Sequence, residues 1–241
     1  MISVVIEREN IKDNHIEITN KNDINHLKNV FRIKIDDLVR GVDGEKEYFG
    51  RVFLIKKEMI RLKIEEIKED SYSSKVSLDM GICLVKNDKM DLIIQKLTEI
   101  GVNAIIPINS KRVVVKIGEK EDKKIEKWKI ISKEALKQCQ GIKNVFINNI
   151  KTLKELDYSF YDLIIIPYER KKEVYLKEIW KEISIIPKKI LVIIGPEGGF
   201  DKEEIEFLEK KGAKIVSLGK RILRTETSAI VVGGIVINEF I

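Results

Sequence analysis

A chain of 241 residues is long enough for two domains, and a 44 % hydrophobic share with charges spread along its length excludes a disordered polymer. Lysine and arginine exceed aspartate and glutamate by six, a formal charge of +6 that favours a polyanionic partner, although a genome rich in A and T would also supply the lysines. The only cysteines, Cys83 and Cys139, are too few and too far apart for a disulfide framework or a four-cysteine zinc site, and the only histidines, His15 and His26, both lie in the amino-terminal segment, which disfavours a histidine triad or a paired-histidine metal site in the rest of the chain. Metal-free chemistry in a reducing cytoplasm is therefore expected. The first eight residues lack a signal-peptide core, and no run approaches the ~20 apolar residues that span a bilayer, so no membrane association is expected.

From the amino terminus to about Glu69, short β-branched runs predict strands over 2–6, 15–19, 38–42, 48–56 and 59–68. Between the second and third, Ile24, Leu27 and Val30 recur at three-residue spacing and predict one short helix over 22–32, capped near Asn22. A small barrel with one helix accommodates these elements. Residues 69–74 are acidic and serine-rich with no apolar period, which sets a boundary between domains 1–71 and 75–241.

Beyond it, strands and helices alternate. A strand over 76–85 precedes a helix over 89–100, whose Ile93, Ile94, Leu97 and Ile100 share a face and which Gly101 closes. A strand over 104–108, a long helix over 123–140, strands over 145–147 and 163–166 and a helix over 174–180 follow. Residues 190–194 form the continuous apolar run of a strand buried on both faces. Asp201 and Glu204 stand at capping-box spacing at the head of a helix over 201–211, which ends at Gly212. A strand over 214–218, an irregular loop and an apolar terminal segment over 225–241 complete the chain. The alternation implies an α/β domain with a mostly parallel sheet covered on both faces, and such sheets bind ligands beyond the carboxyl ends of their strands.

Two loops occupy that position. Gly195-Pro196-Glu197-Gly198-Gly199 joins the 190–194 strand to the next helix, and its glycines let the backbone approach a bulky ligand; the plain alternative is a tight turn. Neither the G-x-G-x-x-G fingerprint nor a phosphate loop is present, which disfavours NAD and NTP chemistry. The second loop, 218–229, packs Gly219, Lys220, Arg221, Arg224, Thr225, Glu226 and Thr227 together. Its cations are either a solvated charge run or a face turned toward an anionic polymer.

Together these loops, one helix and one strand apart, resemble the knotted SPOUT class of methyltransferases, and more narrowly the RsmE family, which methylates N3 of a uridine in 16S ribosomal RNA. Other segments are similar to that family: 86–91 (Lys-Asn-Asp-Lys-Met-Asp) continuing through 95–102, Ser110-Lys111-Arg112-Val113-Val114, Trp128 with 134–139, and His26-Leu27-Lys28-Asn29-Val30-Phe31-Arg32. The resemblance runs over nearly the whole chain. It departs at Lys111, often acidic in the family, at Phe31, usually leucine, and at Ser228, which interrupts a more direct run from Glu-Thr to Ala.

The resemblance implies a trefoil-knot α/β methyltransferase domain preceded by a small PUA-like β-barrel, and S-adenosylmethionine as cofactor. It places that cofactor on Ile166 and Pro167, on Gly195, Pro196, Glu197, Gly198 and Gly199, and on Leu218, Gly219, Ile222, Leu223, Arg224, Thr227 and Ala229. Uridine N3 is a poor nucleophile while protonated, so Glu226 is the expected base, with Arg224 or Arg112 stabilising charge on the uracil oxygens. A structural role for Glu226, satisfying free amides at a helix start, stands beside that expectation. Arg8, Lys28, Arg32, Arg51, Lys86, Arg112 and Arg221 are the expected RNA contacts, and the apolar terminal segment implies a homodimer. Competing possibilities are another target, a ribose 2′-hydroxyl or a tRNA base, and a non-catalytic assembly factor that binds the small ribosomal subunit.

Overall fold

The computed structural model describes residues 2–71, 73–115, 118, 121–171 and 174–240, with only the backbone of Asn87. Met1, Tyr72 and Ile241, which belong to the expected domain ends and boundary, lie outside the described residues. The chain falls into two units, Met1–Ser73 with Leu136–Asn144, and Ser74–Ala135 with Val145–Ile241.

The first unit holds β1 (Ser3–Val5), β2 (Ile11–Lys12), β3 (His15–Ile18), β4 (Leu38–Val42), β5 (Lys46–Lys56) and β6 (Met59–Glu69) in one sheet of order β1-β4-β5-β6-β3-β2. Its pairings are antiparallel apart from the parallel β1–β4 pair. Alternate residues point inward, so Ile16, Val39, Val52, Ile60 and Leu62 are fully buried with Leu27 against them.

The expected helix over 22–32 is corrected. The α-helix α1 (Lys21–Asn25) is a little over one turn long and is capped by Asn20, whose Oδ1 accepts from the amides of Asn22 (2.9 Å) and Asp23 (3.2 Å). From His26 to Val30 the turns widen to i→i+5 bonding, with the Phe31 amide donating to the His26 carbonyl at 3.1 Å. The widened turn carries Val30 to solvent (64 % exposed) and brings Ile33 into the core (7 %), so the three-residue stripe ends at Leu27. Arg32, at φ 51°, ends the element.

Residues 136–144, expected within the second domain, pack into the first unit for a polar reason. Arg40, 2 % exposed, donates from Nε to Glu47 (2.6 Å) and from Nη2 to the Gln140 carbonyl (2.8 Å), while Lys137 pairs with buried Asp23 at 2.6 Å.

The second unit contains β7 (Ser77–Cys83), α2 (Asn87–Ile100), β8 (Ala104–Ile108), the start of α3 (Glu121–Cys139), β9 (Phe146–Ile147), β10 (Leu163–Pro167), α4 (Leu176–Glu182), β11 (Lys189–Ile194), α5 (Lys202–Lys210), β12 (Lys214–Val216) and α6 (Thr225–Glu239). The sheet order is β12-β10-β11-β7-β8-β9 and every pairing is parallel. In β11, Ile190, Val192 and Ile194 join the apolar layer of α2, α4 and α6, whereas Leu191 and Ile193 join Phe200 and Leu208 on the opposite face. This double burial is why the strand reads as an unbroken apolar run.

Gly101 ends α2 in the left-handed conformation (φ 88°), and α5 opens on a reciprocal box between Asp201 and Glu204. The terminal segment is one helix, α6. A Cβ on Gly233 would lie 3.0 Å from Leu97 Cδ2, so the glycine permits the close approach of α2 and α6. Because β12, β10 and β11 are parallel neighbours, the loops leaving their carboxyl ends emerge side by side.

Candidate functional site

Those three loops line a cleft of about 630 Å³, partly open to solvent. Of the expected cofactor residues, Pro167, Gly195, Pro196 and Gly199 line it from the β10 and β11 loops, and Leu218, Gly219, Ile222 and Leu223 from the loop after β12. Arg221, expected at RNA, lines it as well. Ile166 and Ala229 are fully buried in the layers on opposite faces of the sheet, and Glu197, Gly198, Arg224 and Thr227 lie outside the lining.

Glu169 and Ser217 line the cleft without having been singled out in the sequence, and Tyr168, Thr225 and Ser228, which belong to the expected loops without being named as cofactor contacts, line it as well. A signal existed for the hydroxyls: Ser217 directly precedes the glycine loop, and Thr225 opens a helix, where hydroxyls commonly serve backbone groups.

The glycines are required by geometry at two points. Gly199 has φ 66°, and a Cβ there would lie 2.8 Å from Glu169 Oε1; its amide closes the turn onto the Pro196 carbonyl at 2.9 Å. Gly219 has φ 132°, and its amide donates to Ser217 Oγ at 3.2 Å, folding the second loop back on its strand. Thr225 Oγ1 donates to the Gly195 carbonyl (3.1 Å) and so fixes the start of α6 to the first loop.

A polar cluster borders the cleft. Arg112 donates from Nη1 to the Gly198 carbonyl at 3.2 Å and from Nη2 to Asp201 at 3.4 Å. The Asp201 carboxyl is held below its ordinary range by the amide of Glu203, assisted by Lys111 and Arg112. Lys89, in the first turn of α2, donates to Glu197, which raises the lysine above its ordinary value; the charge of Glu226 adds to the effect. Glu226 lies in the first turn of α6 with its Oε1 at 4.0 Å from Arg224 Nη1, and its Oε2 is buried without a hydrogen-bond partner among the described residues. Removing an acceptor from water without a donor costs roughly 1–3 kcal/mol, more for a charged group.

Five further cations were expected to meet RNA. In the first unit Arg8 pairs with Glu45, Lys28 donates to the Lys56 carbonyl (2.6 Å), and Arg51 donates to Glu65 and to the Asp36 carbonyl, each at 2.9 Å. Arg32 is exposed. In the second unit Lys86 is exposed at the head of α2.

Residues 72–237 match the model of the RNA methyltransferase domain family. Ribosomal RNA small subunit methyltransferase E of Mesomycoplasma hyopneumoniae (strain 232) is 35 % identical over 224 residues, covering 91 % of this chain and 92 % of the relative. The chain belongs to this methyltransferase family. A Legionella pneumophila structure, described as a methyltransferase in complex with the bound cofactor SAM, superposes with a TM-score of 0.86 at 27 % identity, covering 99 % of this chain and 97 % of that one. The methyltransferase E of Neisseria gonorrhoeae, bound to S-adenosyl methionine, has the same fold, with a TM-score of 0.86 at 24 % identity and coverage of 100 % and 98 %. The parallel α/β architecture of the second unit is thus a methyltransferase fold of this family.

Proposed function

We propose that this methyltransferase E family member transfers a methyl group from S-adenosylmethionine to N3 of a specific uridine in 16S ribosomal RNA. The observation that carries the proposal is the meeting of the glycine turn and the 217–223 loop across one cleft at the carboxyl ends of parallel strands. The cleft suits an adenosine-bearing ligand: Leu218, Ile222 and Leu223 offer apolar surface, Gly199 and Gly219 keep the backbone bare, and Ser217, Thr225 and Ser228 supply hydroxyls. Ile166 and Ala229 support it from within the core, while Glu197, Gly198 and Thr227 act through the segments they belong to.

When bound, the cofactor supplies an electrophilic sulfonium methyl. Glu226, whose Oε2 has no hydrogen-bond partner among the described residues, takes the proton from uridine N3, leaving the nitrogen lone pair available for attack. Arg224 faces the charge that develops on the uracil oxygens, because its side chain is 81 % exposed and only loosely held by Glu226. Arg112 is engaged by Gly198 and Asp201 and braces the turn. Glu226→Gln is expected to lower kcat roughly 10²- to 10⁴-fold with cofactor affinity retained in calorimetry. Full turnover in that variant would remove Glu226 as the base.

The first unit is proposed as a PUA-like barrel that, with Arg8, Lys28, Arg32 and Arg51, contacts RNA phosphates, while Lys86, Arg112 and Arg221 contact it from the methyltransferase unit. The segment leading into α6 is proposed to thread the trefoil knot, and α6 to form a homodimer in the cytoplasm. Among the described residues no helix is long and apolar enough to cross a membrane. Mass mapping of 16S rRNA from cells with and without the protein tests the target. The expected result is the loss of one methyluridine; a missing ribose methyl, or an unchanged map, would overturn it.

A further inference from the structure

The turn after β10 brings a carboxylate into the cleft. The Tyr168 amide donates to the Val216 carbonyl at 2.9 Å, and the Tyr168 carbonyl accepts from the Lys171 amide at 3.1 Å, so residues 168–171 form a tight turn anchored beside β12. Glu169 is the second residue of that turn and lines the cleft. Its carboxylate lies over Gly199, with Oε1 at 2.8 Å and Oε2 at 3.6 Å from the position that a Cβ would occupy there. The glycine thus lets the carboxylate sit against bare backbone, where a side chain would displace it.

The other acidic groups bordering the glycine turn are engaged. Glu197 accepts from Lys89, and Asp201 accepts from the Glu203 amide and from Arg112. Glu169 is not. Among the described residues its one ionic neighbour is Arg170, whose Nε lies 3.9 Å away, beyond hydrogen-bond range, on a side chain that is 70 % exposed. An exposed pair of that kind contributes little and does not occupy the carboxylate. The Glu169 side chain is 35 % exposed, so the group is accessible from the cleft that it lines.

Two acceptor oxygens side by side suit a ligand with two adjacent donors. S-adenosylmethionine offers a vicinal diol on its ribose and an ammonium on its methionyl part. Arg170 stands beside the carboxylate, and Lys220 and Arg221 line the same cleft, so an ammonium would enter a field of like charge. Neutral hydroxyls meet no such repulsion. In dinucleotide-binding α/β folds an acidic residue holds a ribose hydroxyl in the same way. We propose that Glu169 is the ribose-binding residue, its carboxylate accepting hydrogen bonds from the 2′- and 3′-hydroxyls of the cofactor over the bare face of Gly199. This inference rests on the cleft being the S-adenosylmethionine site.

The test is competition by adenosine and by 2′,3′-dideoxyadenosine against S-adenosylmethionine, on the full-length protein without RNA. The unmodified protein is expected to bind adenosine roughly 10- to 100-fold more tightly than the dideoxy compound, the worth of a hydrogen bond to a charged acceptor. Glu169→Ala should abolish that preference by weakening adenosine alone, and its unchanged affinity for the dideoxy compound would show that the cleft is intact. Glu169→Gln, which keeps one acceptor, should lose part of the preference. No preference in the unmodified protein, or a Glu169→Ala protein weakened equally toward both compounds, would overturn the proposal. Weaker binding of S-adenosylhomocysteine with adenosine unaffected would move Glu169 to the methionyl ammonium, and loss of methyl transfer with all binding retained would move it to the RNA; either result also overturns it. Absence of binding heat between the unmodified protein and S-adenosylmethionine would instead remove the cofactor assignment, an outcome read without any Glu169 variant.

Discussion

Arg40 shows how much one buried charge can organise. Its guanidinium reaches Glu47 on the neighbouring strand and the carbonyls of Gln140 and Gly141, a segment a hundred residues away in the chain. Arginine suits this task because its planar fork donates in several fixed directions and cannot shed its charge. Arg40→Met would leave Glu47, itself 6 % exposed, as an unpaired buried carboxylate beside two carbonyls deprived of a donor. The expected cost is about 3–5 kcal/mol, measured as a lower urea midpoint at unchanged slope. A change below about 1 kcal/mol would mean that water replaces the arginine. Nothing in the local pattern around Val39-Arg40-Gly41 announces a buried arginine, since inward and outward positions alternate and a charge defaults to the outward side.

At the scale of elements, α5 illustrates what sequence can specify. Asp201 Oδ1 accepts from the Glu203 amide (3.0 Å), and Glu204 Oε2 accepts from the Asp201 amide (2.8 Å). Asp201→Ala should lower the midpoint of denaturant unfolding. The pH dependence has a definite sign. The folded carboxyl is depressed, so its contribution is complete above the ordinary aspartate range and disappears as pH falls through the lower, folded value. The difference between Asp201→Ala and the parent should therefore shrink in strong acid; a constant difference would assign the effect to helix propensity.

Boundaries of this kind were legible because they depend on neighbouring residues: the Asp201 box, the Gly101 cap and the unbroken apolar run of β11 all follow local rules. The widened turn at 26–30 was not legible, because its cause is tertiary: Ile33, not Val30, fills the core. Likewise the glycine-bearing loops marked the cleft, whereas the tether from Lys89 to Glu197 depends on packing between segments 108 residues apart.

At the scale of the whole molecule, α6 presents two demands at once. Val232, Gly233 and Val236 are buried against the sheet and α2, yet Val231 (37 %) and Ile235 (41 %) remain exposed on the other side, and Leu92 of α2 is 39 % exposed. Gly234, next to Ile235, has no atom of the described residues within 4 Å of its Cβ position, so none of them uses the close approach that it would permit. An amphipathic surface helix would place polar residues there, and the apolar composition indicates a partner surface. A two-fold interface would double the effect of any change, since each substituted residue appears twice. Val231→Glu is therefore expected to shift the protein from dimer to monomer in light scattering at micromolar concentration, with the monomer's unfolding midpoint becoming independent of concentration. If the unmodified protein already scatters as a monomer of 27.9 kDa, the exposed stripe on α6 needs another partner and the homodimer is wrong.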